Sequence, residues 1–228
     1  MKLSFYGGAQ EVTGACYLLE TISTRILFDC GLFQGCNECD DLNFIPFRFD
    51  PKTITALFVT HAHIDHIGRI PKLVRDGFRG PIYSTAPTRD IAALLLEDAL
   101  DLSKREHHAL YTNEDLHTTF SLWHPVEYGA TVAVGDATMR FLNSSHILGS
   151  AMIECIVDDK HFLVTGDLGN EPSAILPSMD TPRDVEYLAI ESAYGNRTHE
   201  AVEDRVLAIE RAVEDVAARN GTLLIPAF

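Results

Sequence analysis

No stretch of this chain reaches the about eighteen consecutive apolar residues that a membrane-spanning helix needs. The N-terminus, Met1-Lys2-Leu3-Ser4-Phe5-Tyr6-Gly7-Gly8, lacks the apolar centre of a leader peptide, so the expected location is cytoplasmic and no membrane partner is expected. Lysine is scarce, five against thirteen arginines, and the 18 bases fall well short of the 33 acids. The resulting net charge of −15 argues against a protein whose whole surface grips nucleic acid by neutralising phosphates. It does not exclude a nuclease, because bound divalent cations create positive charge locally. Five cysteines form no regular framework. Cys36-Asn37-Glu38-Cys39 has zinc or redox spacing, but a structural zinc site normally needs two such pairs. The pair reads as an exposed loop, and the thiols are expected to be reduced. Internal repeats and low-complexity segments are absent.

What the chain does have is a dense run of ligand-type side chains. In Thr60-His61-Ala62-His63-Ile64-Asp65-His66-Ile67-Gly68, three imidazoles and a carboxylate follow an apolar segment that reads as a strand. In an extended segment residues two apart point the same way, so His61 and His63 can grip one ion. Asp65 and His66 come where the chain turns into a helix and face a different point, where a second ion could sit. Scattered histidines usually have bland roles, but a cluster this dense has no comparable structural use. Imidazole with carboxylate suits zinc.

The rest reads as an ordinary α/β chain, with 228 residues, 46% apolar and 22% charged, room for one large domain or one domain and part of another. Ala15 to Glu20 and Arg25 to Asp29 flank a polar turn and predict an antiparallel hairpin, ending in Asp29-Cys30-Gly31. On position alone Asp29 is a turn cap. Residues 32–53 read as a loop pinned by Phe33, Phe44, Phe47 and Phe49. Ile54 to Val59 is a buried strand, and Ile67, Ile70, Leu73 and Val74 recur at helical spacing. After the strand Ile82 to Thr85, Thr88 is the expected cap of a long helix with Ile91, Leu94, Leu95 and Leu102 on its apolar face. His107, His108 and His117 read as surface residues of a polar stretch, and His124 as structural. From 128 to 167 short β runs alternate, and His146 and Asp167 each end one beside a glycine, where loops carry function. Val185 to Ile190 reads as a buried strand ending in Glu191. Residues 200–220 carry Val202, Val206, Ile209, Val213 and Val216 on one helical stripe. Thr222 to Pro226 begins a strand, from which a continuing natural chain is expected.

His61, His63 and His146 together make a three-histidine site with an open fourth position, the pattern of a catalytic zinc. Asp65 and His66 begin a second site, and Asp167 could bridge the two ions, about 3.5–4 Å apart in two-metal hydrolases.

His61-Ala62-His63-Ile64-Asp65-His66 resembles the HxHxDH signature of the metallo-β-lactamase fold, with Asp29, His146 and Asp167 matching its other N-terminal motifs. Phe28-Asp29-Cys30-Gly31, Ser145-His146-Ile147-Leu148-Gly149-Ser150-Ala151 and Glu191-Ser192-Ala193-Tyr194-Gly195-Asn196-Arg197 resemble the β-CASP nucleases, among them the endonuclease subunit of the mRNA 3′-end cleavage machinery. The resemblance implies an αββα sandwich, here truncated: residues 1–195 are the N-terminal part of the metallo-β-lactamase domain and 196–228 the start of an inserted β-CASP domain. It implies a zinc-dependent ribonuclease in which a hydroxide bridging two zinc ions attacks an RNA phosphodiester. His61, His63 and His146 would hold one zinc, Asp65 and His66 the other, Asp167 would bridge them, and Asp29 would stand behind. Glu191 would orient a leaving-group histidine which, like the last ligand of the second zinc, is expected beyond Phe228. The fragment alone is therefore expected to be weakly active or inactive. Oligomeric state stays open at this point, a homodimer being one option because relatives often dimerise. Two other readings stay open: a small-molecule hydrolase of the same fold, and a non-catalytic family member that binds partners.

Overall fold

The structure is a computed structural model and describes every residue except 36–38, 106–107, 171–172, 174, 199–201 and 227–228. Cys36 and His107 thus lie outside the described residues. Two compact units make up the chain, Met1–Glu191 and Ser192–Phe228.

Two β-sheets form the centre of the first unit. The first runs β1 (Lys2–Phe5), β2 (Tyr17–Glu20), β3 (Arg25–Phe28), β4 (Ala56–Phe58), β5 (Ile82–Ser84) and β6 (Trp123–Pro125), in that spatial order. β1 to β3 are antiparallel, as a polar turn between apolar runs requires, and β3 to β6 are parallel. Parallel neighbours need crossovers, and these contain the helices: α1 (Cys39–Phe44) between β3 and β4, then α2 (Ile64–Ile67) and α3 (Ile70–Arg75), then α4 (Ala86–Arg105) and α5 (Asn113–Ser121). The second sheet has the order β11 (Tyr187–Ala189), β10 (Lys160–Val164), β9 (Ala151–Val157), β8 (Ala137–Asn143) and β7 (Thr131–Val134). Its hairpins are tight: Asp158 and Asp159, both at positive φ, make the two-residue turn between β9 and β10.

Strand alternation explains how the sheets stack. In β8, Ala137, Met139 and Phe141 are buried inward while Thr138 and Arg140 face out. They meet Ile26, Phe28, Ala56 and Phe58 of the first sheet in a dry interlayer. Phe28, Phe58, Phe141 and Phe162 form its aromatic spine, with ring centroids 5.9 to 6.4 Å apart. The helices cover the other face of the first sheet through Ile67, Ile70, Leu73, Ala92, Leu96 and Leu100. The outer face of the second sheet is covered by Leu168, Met179 and Val185. Within Met1–Glu191 the described layers therefore run helix, sheet, sheet, the last covered by these loop residues.

Several local expectations are corrected. Residues 32–53 contain the short helix α1, and Cys39, at its start, is buried rather than exposed. Cys39 is also disulfide-bonded, unlike the buried free thiols Cys16, Cys30 and Cys155. Helix α4 begins before Thr88. Thr85 accepts the Thr88 N–H at 3.4 Å, and Thr88 itself is buried and donates to the Gly149 carbonyl at 2.9 Å. The buried face of α4 is Thr88, Ala92, Leu96 and Leu100, whereas Leu94, Leu95 and Leu102 are exposed. The polar stretch after α4 holds α5, started by a capping box in which Thr112 and Asp115 satisfy each other's backbone N–H. His108 and His117 are exposed, as expected. β11 is an edge strand with Tyr187 and Leu188 half exposed, not a buried one.

The second unit contains α6 (Val202–Ala218). Its Val206, Ile209 and Val213 are exposed, so this amphipathic stripe has no cover among the described residues. Residues 222–226 form no strand; extended backbone becomes one only beside a partner. No helix among the described residues is long and apolar enough to cross a membrane.

Candidate metal centre

The ends of β3, β4, β8 and β10 open at one edge of the sandwich, and the ligand-type residues leave from there. Asp29 follows β3, His61 lies three residues past β4, His146 three past β8 and Asp167 three past β10. The two sheets are tied together at this point, because the Thr60 carbonyl accepts the Ala151 N–H of β9 at 2.8 Å.

Glycines let these loops come close. Segment 30–32 runs beside 64–66, with Cys30 N–H donating to His66 O at 2.8 Å and Leu32 N–H to Ile64 O at 3.0 Å. Between them, a Cβ on Gly31 would lie 1.5 Å from the Asp65 carbonyl oxygen. Gly169 plays the matching part beside the other loop: its N–H donates to Ser144 O at 3.0 Å, and a Cβ there would lie 1.7 Å from Ser145 O. Ser150 Oγ shapes the same loop by accepting the N–H groups of His146 and Ile147 at 3.0 and 3.1 Å.

The side chains converge on two adjacent points. One ligand atom from each of His61, His63, His146 and Asp167 lies within 4.8 Å of the other three. His63 Nδ1 is 3.1 Å from His61 Nε2 and 3.1 Å from His146 Nε2. Asp167 Oδ2 faces this group, 3.6 Å from His61 Nε2 and 3.5 Å from His146 Nε2. Its other oxygen, Oδ1, faces away to His66 Nε2 at 3.3 Å, and Asp65 Oδ2 stands 3.8 Å from the same nitrogen.

Behind the rings lies a buried polar frame. Asp29, wholly buried with φ of +54°, accepts the Thr60 N–H on Oδ1 and the Thr60 hydroxyl on Oδ2, both at 2.8 Å. The single hydroxyl proton of Thr60 is thereby spent, so at 3.1 Å it accepts from His61 Nδ1. That fixes the tautomer of His61 and leaves Nε2 as a lone pair facing the cluster. Asp29 Oδ2 also takes the Nδ1–H of His66 at 2.8 Å, which turns His66 Nε2 toward Asp65 and Asp167. Carboxylate support of this kind orients imidazole ligands and raises their basicity.

The electrostatics separate the two points. Burial drives His61 well below the usual imidazole range, with further lowering from His66, His146 and His63. Burial also lowers His63 and His146, against the pull of nearby carboxylates. For His66 burial is outweighed by Asp29 and Asp167, which hold it up at about 10. The first group is thus three neutral imidazoles and one carboxylate, a donor set that fits a divalent transition metal. Three carboxylates, of Asp29, Asp65 and Asp167, gather around the second point, where the charge favours a cation.

All six expected ligands are therefore brought together, with Asp65 at the periphery. Glu191 follows β11, its N–H on Thr165 Oγ1 at 3.3 Å, and its charge raises His146. His124 stays apart, exposed, with its ring 5.8 Å from that of Tyr83. Thr60 and Ser150 are the supporting residues that the sequence reading does not single out. Both flank ligand motifs, but their hydroxyl partners are set by tertiary contact.

Comparison with known proteins agrees with this geometry. The metallo-beta-lactamase superfamily matches residues 9–193. The ribonuclease TTHA0252 of Thermus thermophilus is 36% identical over all of this chain and 52% of its own length. The transcription termination factor FttA of Methanocaldococcus jannaschii is 36% identical over all of this chain and 37% of its own length. The cleavage and polyadenylation specificity factor subunit 3 of Dictyostelium discoideum is 30% identical, again over the whole chain but 30% of its own length. The chain spans between about a third and about half of these relatives.

Proposed function

Because this chain belongs to the metallo-beta-lactamase superfamily, we propose that it carries the metal-binding part of a zinc-dependent ribonuclease of the β-CASP branch. The observation that carries the reading is the split of Asp167, whose Oδ2 faces His61 and His146 while Oδ1 faces His66. One carboxylate shared by two donor groups is what a two-metal hydrolase requires. In this reading His61, His63, His146 and Asp167 would hold one zinc, and Asp65, His66 and Asp167 would hold the other. Two such ions, when bound, supply positive charge for a phosphodiester, Lewis acidity and an activated water.

The chain's own residues prepare the place. Asp29 and Thr60 hold the His61 and His66 rings so that each turns one nitrogen to the centre. Asp29 is buried behind these rings, which makes it an orienting group rather than a ligand. Glu191 stands close enough to act on His146, and its proposed role is to orient a proton donor for the leaving oxygen. RNA as substrate is supported by relatives named as a ribonuclease and as a cleavage and polyadenylation factor. A cytoplasmic location and a homodimer belong to the same proposal, checked by fractionation and by sedimentation.

Labelled RNA, single-stranded DNA and a chromogenic ester, offered side by side to the zinc-loaded and the chelated protein, test the reading. Any cleavage of RNA by this chain alone is expected to be weak, and chelator should abolish it. Preference for the ester would replace the ribonuclease with a small-molecule hydrolase, and failure to bind zinc would favour a partner-binding role.

A further inference from the structure

Tyr17, the first residue of β2, lies next to the centre and has no role in it so far. It pairs with Phe28, the residue before Asp29, and on its other side with Phe5. Its ring packs against the interlayer core and meets Phe5 edge-on at 5.4 Å, so the ring has a structural use. The hydroxyl has none, since it makes no hydrogen bond among the described residues. The hydroxyls of the buried Tyr111 and of the more exposed Tyr128 behave differently, donating to Leu96 O at 2.9 Å and to Ser150 O at 2.8 Å. A partly buried phenol usually finds such a partner.

The surroundings of this hydroxyl point to a ligand. A Cβ on Gly8 would come within 2.6 Å of it, so the glycine keeps the space beside the oxygen open. Gly8 opens the loop 8–13, closed at its neck by the Gly8 N–H on Thr13 O at 3.2 Å. Burial and then Asp29 and Asp167, with Asp65 behind them, push the phenol up, so it stays a proton donor. The backbone places it beside the centre: Ala15, two residues earlier, donates its N–H to Asp65 O at 3.0 Å and accepts the Gly31 N–H at 2.8 Å, and Tyr17 itself pairs with the residue before Asp29. A neutral donor is the type suited to that position, because a lysine or arginine there would compete with metal cations for Asp65 and Asp167.

We propose that the Tyr17 hydroxyl is a phosphate-binding group of this centre, donating its O–H to a non-bridging oxygen of the phosphate held there. The proposal rests on reading the centre as one that cleaves phosphodiesters. Tyr17→Phe keeps the ring and removes only the donor. In the zinc-loaded protein it should leave zinc content and melting temperature unchanged. It should weaken binding of inorganic phosphate about tenfold, the ordinary effect of losing a hydrogen bond to a charged group. RNA cleavage should lose a similar factor in kcat/KM. Equal phosphate affinity in both proteins, or no phosphate binding by the unmodified one, would overturn the proposal, as would loss of zinc in the variant. If phosphate binding depends on Tyr17 but RNA is not cleaved, the ribonuclease reading fails and Tyr17 keeps its role. If both proteins cleave RNA alike, Tyr17 loses that role and the ribonuclease reading stands.

Discussion

Asp29 Oδ2 lies 2.8 Å from His66 Nδ1, and the same oxygen takes the Thr60 hydroxyl at 2.8 Å. One buried carboxylate thus sets the direction of His66 directly and of His61 through Thr60. Asp29→Asn keeps the shape but replaces an oxygen with an NH2 that opposes two donors or loses the charge that holds them. Affinity at the point formed by His66, Asp65 and Asp167 should fall by about 10- to 100-fold. Thr60→Val removes only the link to His61 and should weaken mainly the three-histidine point. Zinc titration against a competing chelator, resolving two binding steps, measures both.

Without metal, stability should peak near neutrality. His61, His63 and His146 are lowered from the ordinary 6.5, so the unfolded chain takes up their protons first as the pH falls, and stability is lost below about 6.5. His66 is raised to about 10, so its contribution is complete below 6.5 and is lost as the pH rises from there to about 10. The two effects have opposite sign and meet between them. Thermal melts of the chelated protein should give a maximum melting temperature at about pH 6.5. A steady rise from acid to alkaline pH would contradict the assignment of His66.

Whatever is local in the chain was legible, and whatever depends on a neighbour was not. His61, His63, Asp65 and His66 fall within six positions and strand periodicity is short, so the ligand run and most strands could be read directly. His146 and Asp167 stood out as strand-end residues beside glycines, but joining them to the run needs the stacking of the two sheets. The hydroxyl role of Thr60 needs Asp29 opposite it. Leu94, Leu95 and Leu102 drew the apolar face of α4 to the wrong side, because its buried side includes the small or polar Ala92 and Thr88. β11 has the composition of a central strand and the position of an edge. The α5 capping box was present in the sequence as Thr112 and Asp115, but the weak apolar pattern after it concealed the helix.

The two close-packed glycines should be intolerant of any side chain. A Cβ at Gly31 meets the Asp65 carbonyl at 1.5 Å, and one at Gly169 meets the Ser145 carbonyl at 1.7 Å; in both cases the obstacle is backbone that cannot swing away. Alanine at either position should cost at least about 3 kcal/mol, because a ligand loop must move. Gly129 is the control: its φ is +77° but nothing lies within 4 Å of its Cβ position, so alanine there should cost only about 1 kcal/mol. Urea unfolding of the three variants gives the comparison.

Asp167 is the residue whose loss should reach both metal positions. Its oxygens are divided, Oδ2 at 3.5 Å from His146 Nε2 and Oδ1 at 3.3 Å from His66 Nε2. Asp65 stands 3.8 Å from His66 Nε2 with its charge also felt by His63, and Asp29 is occupied by Thr60 and His66. Asp167→Ala should therefore weaken both zinc-binding steps, whereas Asp65→Ala should weaken mainly the second. Since Asp167 is partly exposed and its carboxylate bonds to no backbone group among the described residues, the fold should survive, with a melting temperature of the chelated protein close to that of the unmodified chain. Any RNA cleavage should be lost as well, because Asp167 is the carboxylate that both ions would share. Loss of a single zinc with the other step unchanged would show that Asp167 belongs to one position and that the bridging role is wrong.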